Sequence, residues 1–271
     1  MTTDIATALA SFGTISLETL NAKAAMLERL DNKYIVPAHR LLPVLGRFGE
    51  LFDVLEIEGS RAFTYATEYH DSCDAQMYRD HHQGRRKRCK VRVRTYLDAG
   101  YSFLEVKLKD LRDRTVKKRL RIETTSQELS PDALEFIDRC HQEIYGTPLG
   151  QTLRPVIQMR YSRMTLVAKE GGERMTIDAS LSFRNSAHQR HAASDRFILE
   201  TKSARGNGVA DSILRGQHVH PTKRCSKYCM GMAALGLVER YNRFLPALKK
   251  LQVFEQPLRV RKSSKTATQR F

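Results

Sequence analysis

The stretch that decides the fold runs Arg88-Cys89-Lys90-Val91-Arg92-Val93-Arg94, then Phe103-Leu104-Glu105-Val106-Lys107-Leu108-Lys109, then Val116-Lys117-Lys118-Arg119-Leu120-Arg121-Ile122. Each segment alternates charged and apolar residues, and a β-strand points successive side chains to opposite faces. Arg88, Lys90, Arg92 and Arg94 therefore share one face of the first strand, opposite Cys89, Val91 and Val93. Glu105, Lys107 and Lys109 share a face of the second, opposite Leu104, Val106 and Leu108. The third puts Lys117, Arg119 and Arg121 together, with the doubled Lys117-Lys118 leaving its register open. Further along, Tyr161 shares a face with Arg163, Arg174 and Thr176 share one with Asp178, and Glu200 shares one with Lys202.

A sheet with one solvated face also alternates in this way. Such a face normally mixes both signs, because like charges opposite each other across strands are destabilising. Here Arg and Lys dominate segment after segment, with few carboxylates among them. Rows of cations held together need a compensating anion, or a lumen wet enough to screen them. A closed barrel supplies such an interior, since inward residues alternate with outward ones on every strand.

The charge count agrees. The chain has 271 residues with a net charge of +16. Residues 85–121 hold fifteen basic and four acidic side chains, residues 259–271 hold five basic and none acidic, and the remainder is neutral overall. A local positive field is a site for an anion: nucleic acid, an acidic membrane or a polyphosphate. With 41% hydrophobic and 28% charged residues the chain is globular rather than disordered. The longest apolar run, Cys229 to Val238, is too short to span a bilayer. No secretory signal is visible, and five cysteines without paired CxxC spacing make neither a disulfide framework nor a zinc site. A reduced, cytoplasmic location is expected.

Arg suits phosphate because its planar fork binds bidentately, and Lys adds a mobile point charge. Several such groups around a triphosphate stabilise the charge on a transferred phosphoryl group. Hard carboxylate oxygens suit Mg2+ or Mn2+. Glu200 is the first candidate ligand, as an acid on a mostly basic face; Glu105 and Asp178 are weaker ones, for which salt bridging to neighbouring cations is an equal reading. There is no Walker loop; Gly206-Asn207-Gly208 reads as a turn, and His81-His82 as a surface loop beside the basic window. Helices are expected after Ser16 as far as Leu30, from Pro37, from Ser130-Pro131-Asp132 to Gly146, and from Ser226 to Leu251 with a break near Pro246. From Arg259 the chain reads as a flexible basic tail.

In order, the runs DNKYIVP, YHDSCDAQMYRDHHQGRRKRCKVRVRTY, FLEVKLKDLRDRTVKKR, MRYSRMTL, ERMTIDASLSF, FILETKS and CSKYCMG resemble the VTC domain, the polyphosphate polymerase module among the triphosphate tunnel metalloenzymes and their CYTH-like relatives. The resemblance implies an α+β fold, an antiparallel eight-stranded tunnel barrel with helices packed outside. It covers about residues 31–230 as the tunnel domain, which leaves the helical segment over 1–30, a C-terminal helix over 231–258 and the tail over 259–271 around it. By the same resemblance Lys33, Arg92, Arg94, Lys107, Arg163, Arg174 and Lys227 are tunnel cations, Lys117 and Arg119 bind phosphate alongside them, and Glu200 binds Mn2+ or Mg2+; the strand faces add Lys90 and Lys202 to the phosphate binders. Lys33 and Lys227 rest on the resemblance alone. No room is expected for the SPX sensor or membrane helices that accompany the domain in the vacuolar transporter chaperone complex.

The implied activity is transfer of the γ-phosphoryl of ATP to a growing polyphosphate chain. Two other readings stay open: hydrolysis of triphosphate on the same fold, and a non-enzymatic polyanion-binding module. Against specific nucleic-acid binding, the residues interleaved with the charges are mostly Val and Leu rather than stacking aromatics. No transmembrane partner segment is read. The basic tail leaves a peripheral contact with a membrane protein or anionic lipid open.

Overall fold

The computed structural model describes residues 2–23, 30–112, 114–123 and 128–255; the tail from Arg259 lies outside them. Among the described residues the strands are β1 (Thr14–Ile15), β2 (Leu30–Pro37), β3 (Phe52–Leu55), β4 (Phe63–Asp71), β5 (Arg88–Tyr96), β6 (Tyr101–Lys109), β7 (Thr115–Ile122), β8 (Arg154–Ala168), β9 (Arg174–Arg184), β10 (Gln189–His191), β11 (Arg196–Ser203) and β12 (Phe254–Glu255). The helices are α1 (Thr2–Leu9), α2 (Leu17–Lys23), α3 (Ala38–Leu51), α4 (Gln76–Gln83), α5 (Pro131–Tyr145), α6 (Val209–Gly216), α7 (Lys227–Ala234) and α8 (Leu245–Leu251).

The longer strands form one antiparallel sheet in the order β7-β6-β5-β4-β8-β9-β11-β2, with the shorter ones at its margins. The fold is α+β, as expected, and the sheet curls until the cation-bearing faces of its strands line a common cavity. The expected closed barrel is not formed: among the described residues no ladder joins the edge strands β2 and β7. Among the described residues β2 ladders with β11 and β7 with β6, each on one side, and the sheet is an open curl around a cavity of about 980 Å³.

The outward faces carry the core. Val91, Val93, Leu104, Val106 and Leu108 pack under Ala133, Ile137 and Cys140 of α5. That helix starts where Ser130 Oγ accepts from the Ala133 N–H, with Pro131 in its first turn, and ends at Gly146 in a left-handed conformation (φ 79°). Residues of α1, α3 and α6 cover the outward faces of β2, β8, β9 and β11. In α3, Leu41, Val44, Leu45 and Phe48 form one buried stripe.

Two expected helices are corrected. The one after Ser16 is described over Leu17–Lys23 and does not reach Leu30, which opens β2, because Leu30 to Pro37 pair in register with Ser203 to Arg196. The long helix from Ser226 to Leu251 is two: α7 ends at Ala234, Gly236 turns the chain with φ 68°, and Pro246 sits in the first turn of α8, where its missing N–H breaks no bond. No helix among the described residues is long and apolar enough to cross a membrane.

Candidate functional site

Period-two alternation on β5, β6 and β7 builds one wall of the cavity. Lys90, Arg92, Arg94 and Tyr96 of β5 line it, with Tyr101, Phe103 and Lys107 of β6 and Lys117, Arg119 and Arg121 of β7. Pairing puts Lys90 opposite Lys107 and Lys107 opposite Lys117, which settles the register of the doubled lysines. Lys118 points the other way and donates to Glu143 of α5 at 2.9 Å. Lys33 of β2, Arg163 of β8, Arg174 of β9, Glu200 and Lys202 of β11 and Lys227 at the start of α7 line the remaining sides. The residues expected to be tunnel cations and phosphate binders are thus brought together from seven strands and a helix.

Glu105 and Asp178 lie beneath that surface. Glu105 is 2% exposed and is salt-bridged to Arg92 (2.6 Å), Arg94 (3.7 Å) and Lys117. Asp178 is 1% exposed, accepts both donors of the Arg163 fork at 2.6 and 2.8 Å, and pairs with Lys227. Burial alone pushes each carboxyl up, but the cations outweigh it and hold both well below the usual carboxylate range. These two acids hold the arginines in place, and Arg92 is also held by donating to the Tyr69 hydroxyl at 2.9 Å.

Compensation is partial. The cavity lining carries thirteen Lys and Arg side chains against Asp31 and Glu200. Burial and the neighbouring Lys33 and Lys90 push the Lys107 amine down to about 7. Burial pushes Lys117 down to about 8 in spite of Glu105, and lowers Lys33 and Lys90 as well. Lys90 donates to Ser226 Oγ at 3.0 Å. The lysines are therefore short of counter-charge, which an anion in the cavity supplies.

Glu200 stands between Lys33, at 3.5 Å, and Lys202. Asp31 is on the adjacent strand, where β2 and β11 pair Lys33 with Glu200 and Asp31 with Lys202. Among the described residues no three His, Cys, Asp or Glu side chains cluster as a metal cage. One or two carboxylates in a phosphate-binding cavity nevertheless fit Mg2+ or Mn2+, which keep waters and take the remaining oxygens from substrate phosphates.

Sequence reasoning missed the aromatics. Tyr65, Tyr69, Tyr96, Tyr101 and Phe103 line the cavity beside Tyr161, the one aromatic already placed on a cation-bearing face, so that face is not interleaved with Val and Leu alone. Tyr65 stacks on Tyr161 at 5.5 Å, and Tyr96 on Tyr101 at 4.8 Å. Extending the strand parity to the hairpin would have found them, because Tyr96 shares the parity of Arg94, and Tyr101 and Phe103 that of Lys107. His81 and His82 are not in a loop but in the last turn of α4, and neither lines the cavity; burial first, then Lys90, keeps His81 neutral. Gly206 to Gly208 is the loop before α6, and Cys225 and Cys229 are buried free thiols.

A family model described as the VTC domain matches residues 28–236. Among solved structures, a Hippeastrum protein, named as a candidate adenylyl cyclase and described with a dominant triphosphatase activity, superposes with a TM-score of 0.50. It is 14% identical, and the match covers 80% of this chain and 100% of that one. A Pyrococcus horikoshii protein aligns with a TM-score of 0.41 at 14% identity, over 76% of this chain and 98% of its own. No curated protein matches the sequence.

Proposed function

Because the chain belongs to the VTC domain family, we propose that it is a metal-dependent polyphosphate polymerase that transfers the γ-phosphoryl group of ATP to a growing polyphosphate chain. The observation that carries this reading is the convergence of cations from seven strands on one cavity with two surface carboxylates. Arg92, Arg94, Arg163 and Arg174 clamp phosphate oxygens with forked hydrogen bonds, and Lys33, Lys107 and Lys227 add charge that adjusts to the ligand. Lys90, Lys117, Arg119 and Lys202 extend the same surface along a longer chain. Glu105 and Asp178 pre-orient the arginines, so little reorganisation accompanies transfer.

Glu200, with Asp31 beside it, would hold Mn2+ or Mg2+, which supplies charge neutralisation between adjacent phosphates. In the transfer, a terminal oxygen of the chain forms a bond to the γ-phosphorus. The bond from that phosphorus to the bridging oxygen breaks, and ADP leaves with the electron pair. Hydrolysis of triphosphate is the second reading. In it a water takes the place of the chain end as the nucleophile at the terminal phosphorus, and orthophosphate is the product.

Product analysis after incubation with ATP and Mn2+ or Mg2+ separates the two. Long chains digestible by an exopolyphosphatase are expected from the wild type, and their loss is expected in Glu200→Gln. Orthophosphate without chains would select hydrolysis, and untouched ATP under every metal would remove both.

A further inference from the structure

The β5–β7 wall changes chemistry along its length. One cross-strand row is Lys90, Lys107 and Lys117; six residues further along β5, about 20 Å at strand spacing, the row is Tyr96 and Tyr101, flanked by Tyr65 on β4. At this tyrosine end the Arg119 guanidinium lies 4.9 Å from the centre of the Phe103 ring, and that of Arg121 lies 5.6 Å from the centre of the Tyr101 ring. Tyr101 stacks on Tyr96 and meets Phe103 edge-on. Both arginines are exposed and stand on the edge strand β7.

A phosphate chain has no use for these rings, whose faces carry the negative end of the ring quadrupole. Nor do the rings here shield buried guanidinium groups from one another, since Arg119 and Arg121 already reach water. A planar heteroaromatic base does use them. It fits between a ring and a guanidinium plane, exchanging one cation–π contact for two stacked ones.

We propose that Tyr101 and Phe103, with Arg121 and Arg119 over them, form the slot for the base of a nucleoside triphosphate. The slot sets the direction of that substrate, with its triphosphate laid along Arg94 and Arg92 towards the lysine row. The inference rests on the reading of the cavity as an ATP-using site. Every base presents a π-face, so the slot accepts adenine and guanine alike.

The test is calorimetric titration of the full chain with two probes, inorganic triphosphate and a non-hydrolysable ATP analogue. In Tyr101→Leu the analogue is expected to bind about 5- to 150-fold more weakly, the range of one base stack, while inorganic triphosphate stays within about twofold. Arg121→Lys keeps the charge at an exposed position and removes the planar face, so it too is expected to weaken the analogue and spare triphosphate. Equal losses for both probes, or no loss for the analogue in either variant, would overturn the slot while leaving the phosphate cavity standing. A wild type that binds neither probe would overturn the cavity reading and the slot together.

Discussion

Replacing Lys107 with Arg is expected to remove most of the pH dependence of anion binding. In the empty protein the Lys107 amine is held at about 7, first by burial and then by Lys33 and Lys90. A lysine with a lowered pKa loses its charge as pH rises through that value. About ten amines in eleven are charged at pH 6 and about one in eleven at pH 8. A bound polyanion restores the charge, so binding at pH 8 draws close to one proton onto this residue, and the wild-type affinity falls by about tenfold between pH 6 and pH 8 relative to a variant that stays charged. The Lys107 side chain is reached by solvent in the lumen, so water screening makes tenfold the upper end. Arg does not titrate in this range, and ligand titration is common to both proteins and cancels. The assay is calorimetric titration with inorganic triphosphate in buffers of different ionisation enthalpy. Wild type should take up nearly one proton more than Lys107→Arg at pH 8, and the difference should vanish at pH 6. Equal uptake by the two proteins at pH 8 would refute the reasoning.

Three further predictions concern stability. Asp178→Ala leaves Arg163 and Lys227 without their anion and is expected to destabilise the fold by about 3 kcal/mol in chemical denaturation; this is the low end for a broken buried pair, because both cations also reach the wet cavity. Added triphosphate should recover part of that loss, and a variant as stable as wild type would remove Asp178 from the framework. Because its folded pKa is depressed, the stability Asp178 contributes is present above the ordinary carboxylate value and disappears as pH falls below about 4, so Asp178→Asn should flatten the acid limb of the stability curve. Gly231→Ala would set a Cβ 2.7 Å from Phe183 Cδ1 and 2.8 Å from Ile157 Cδ1, an overpacking expected to cost about 1–3 kcal/mol; an unchanged denaturation midpoint would show that α7 can shift away from the sheet.

The parity of each strand was legible because it is a local property. Arg92 and Arg94 share a face whatever the rest of the chain does, and so do Glu200 and Lys202. The helix from Ser130 to Gly146 was legible for the same reason, since its cap, first-turn proline and C-terminal glycine act on adjacent backbone groups. The helix written across Gly236 was misread because its apolar pattern continues through a residue that takes φ 68°.

The depth of each group within its face could not be read in this way. Glu105 and Lys107 have the same parity, yet the short carboxylate ends on the floor beneath Arg92 and Arg94 while the longer amine reaches the lumen. The aromatic end of the wall was hidden for a related reason. Tyr96 and Tyr101 are neighbours across a hairpin, but Tyr65 and Tyr161 join them only through pairing with β4 and β8.

The amino-acid sequence by itself determined which side chains stand together on each strand, and that most of these were cations in need of an anion, because a strand repeats every two residues without reference to any other part of the chain. Tertiary structure alone decided that those faces turn inward on a shared cavity, that the sheet curls without closing, and that two acids sink below the cations they hold. Curvature and strand order depend on contacts between residues far apart in the chain, and no local period encodes them.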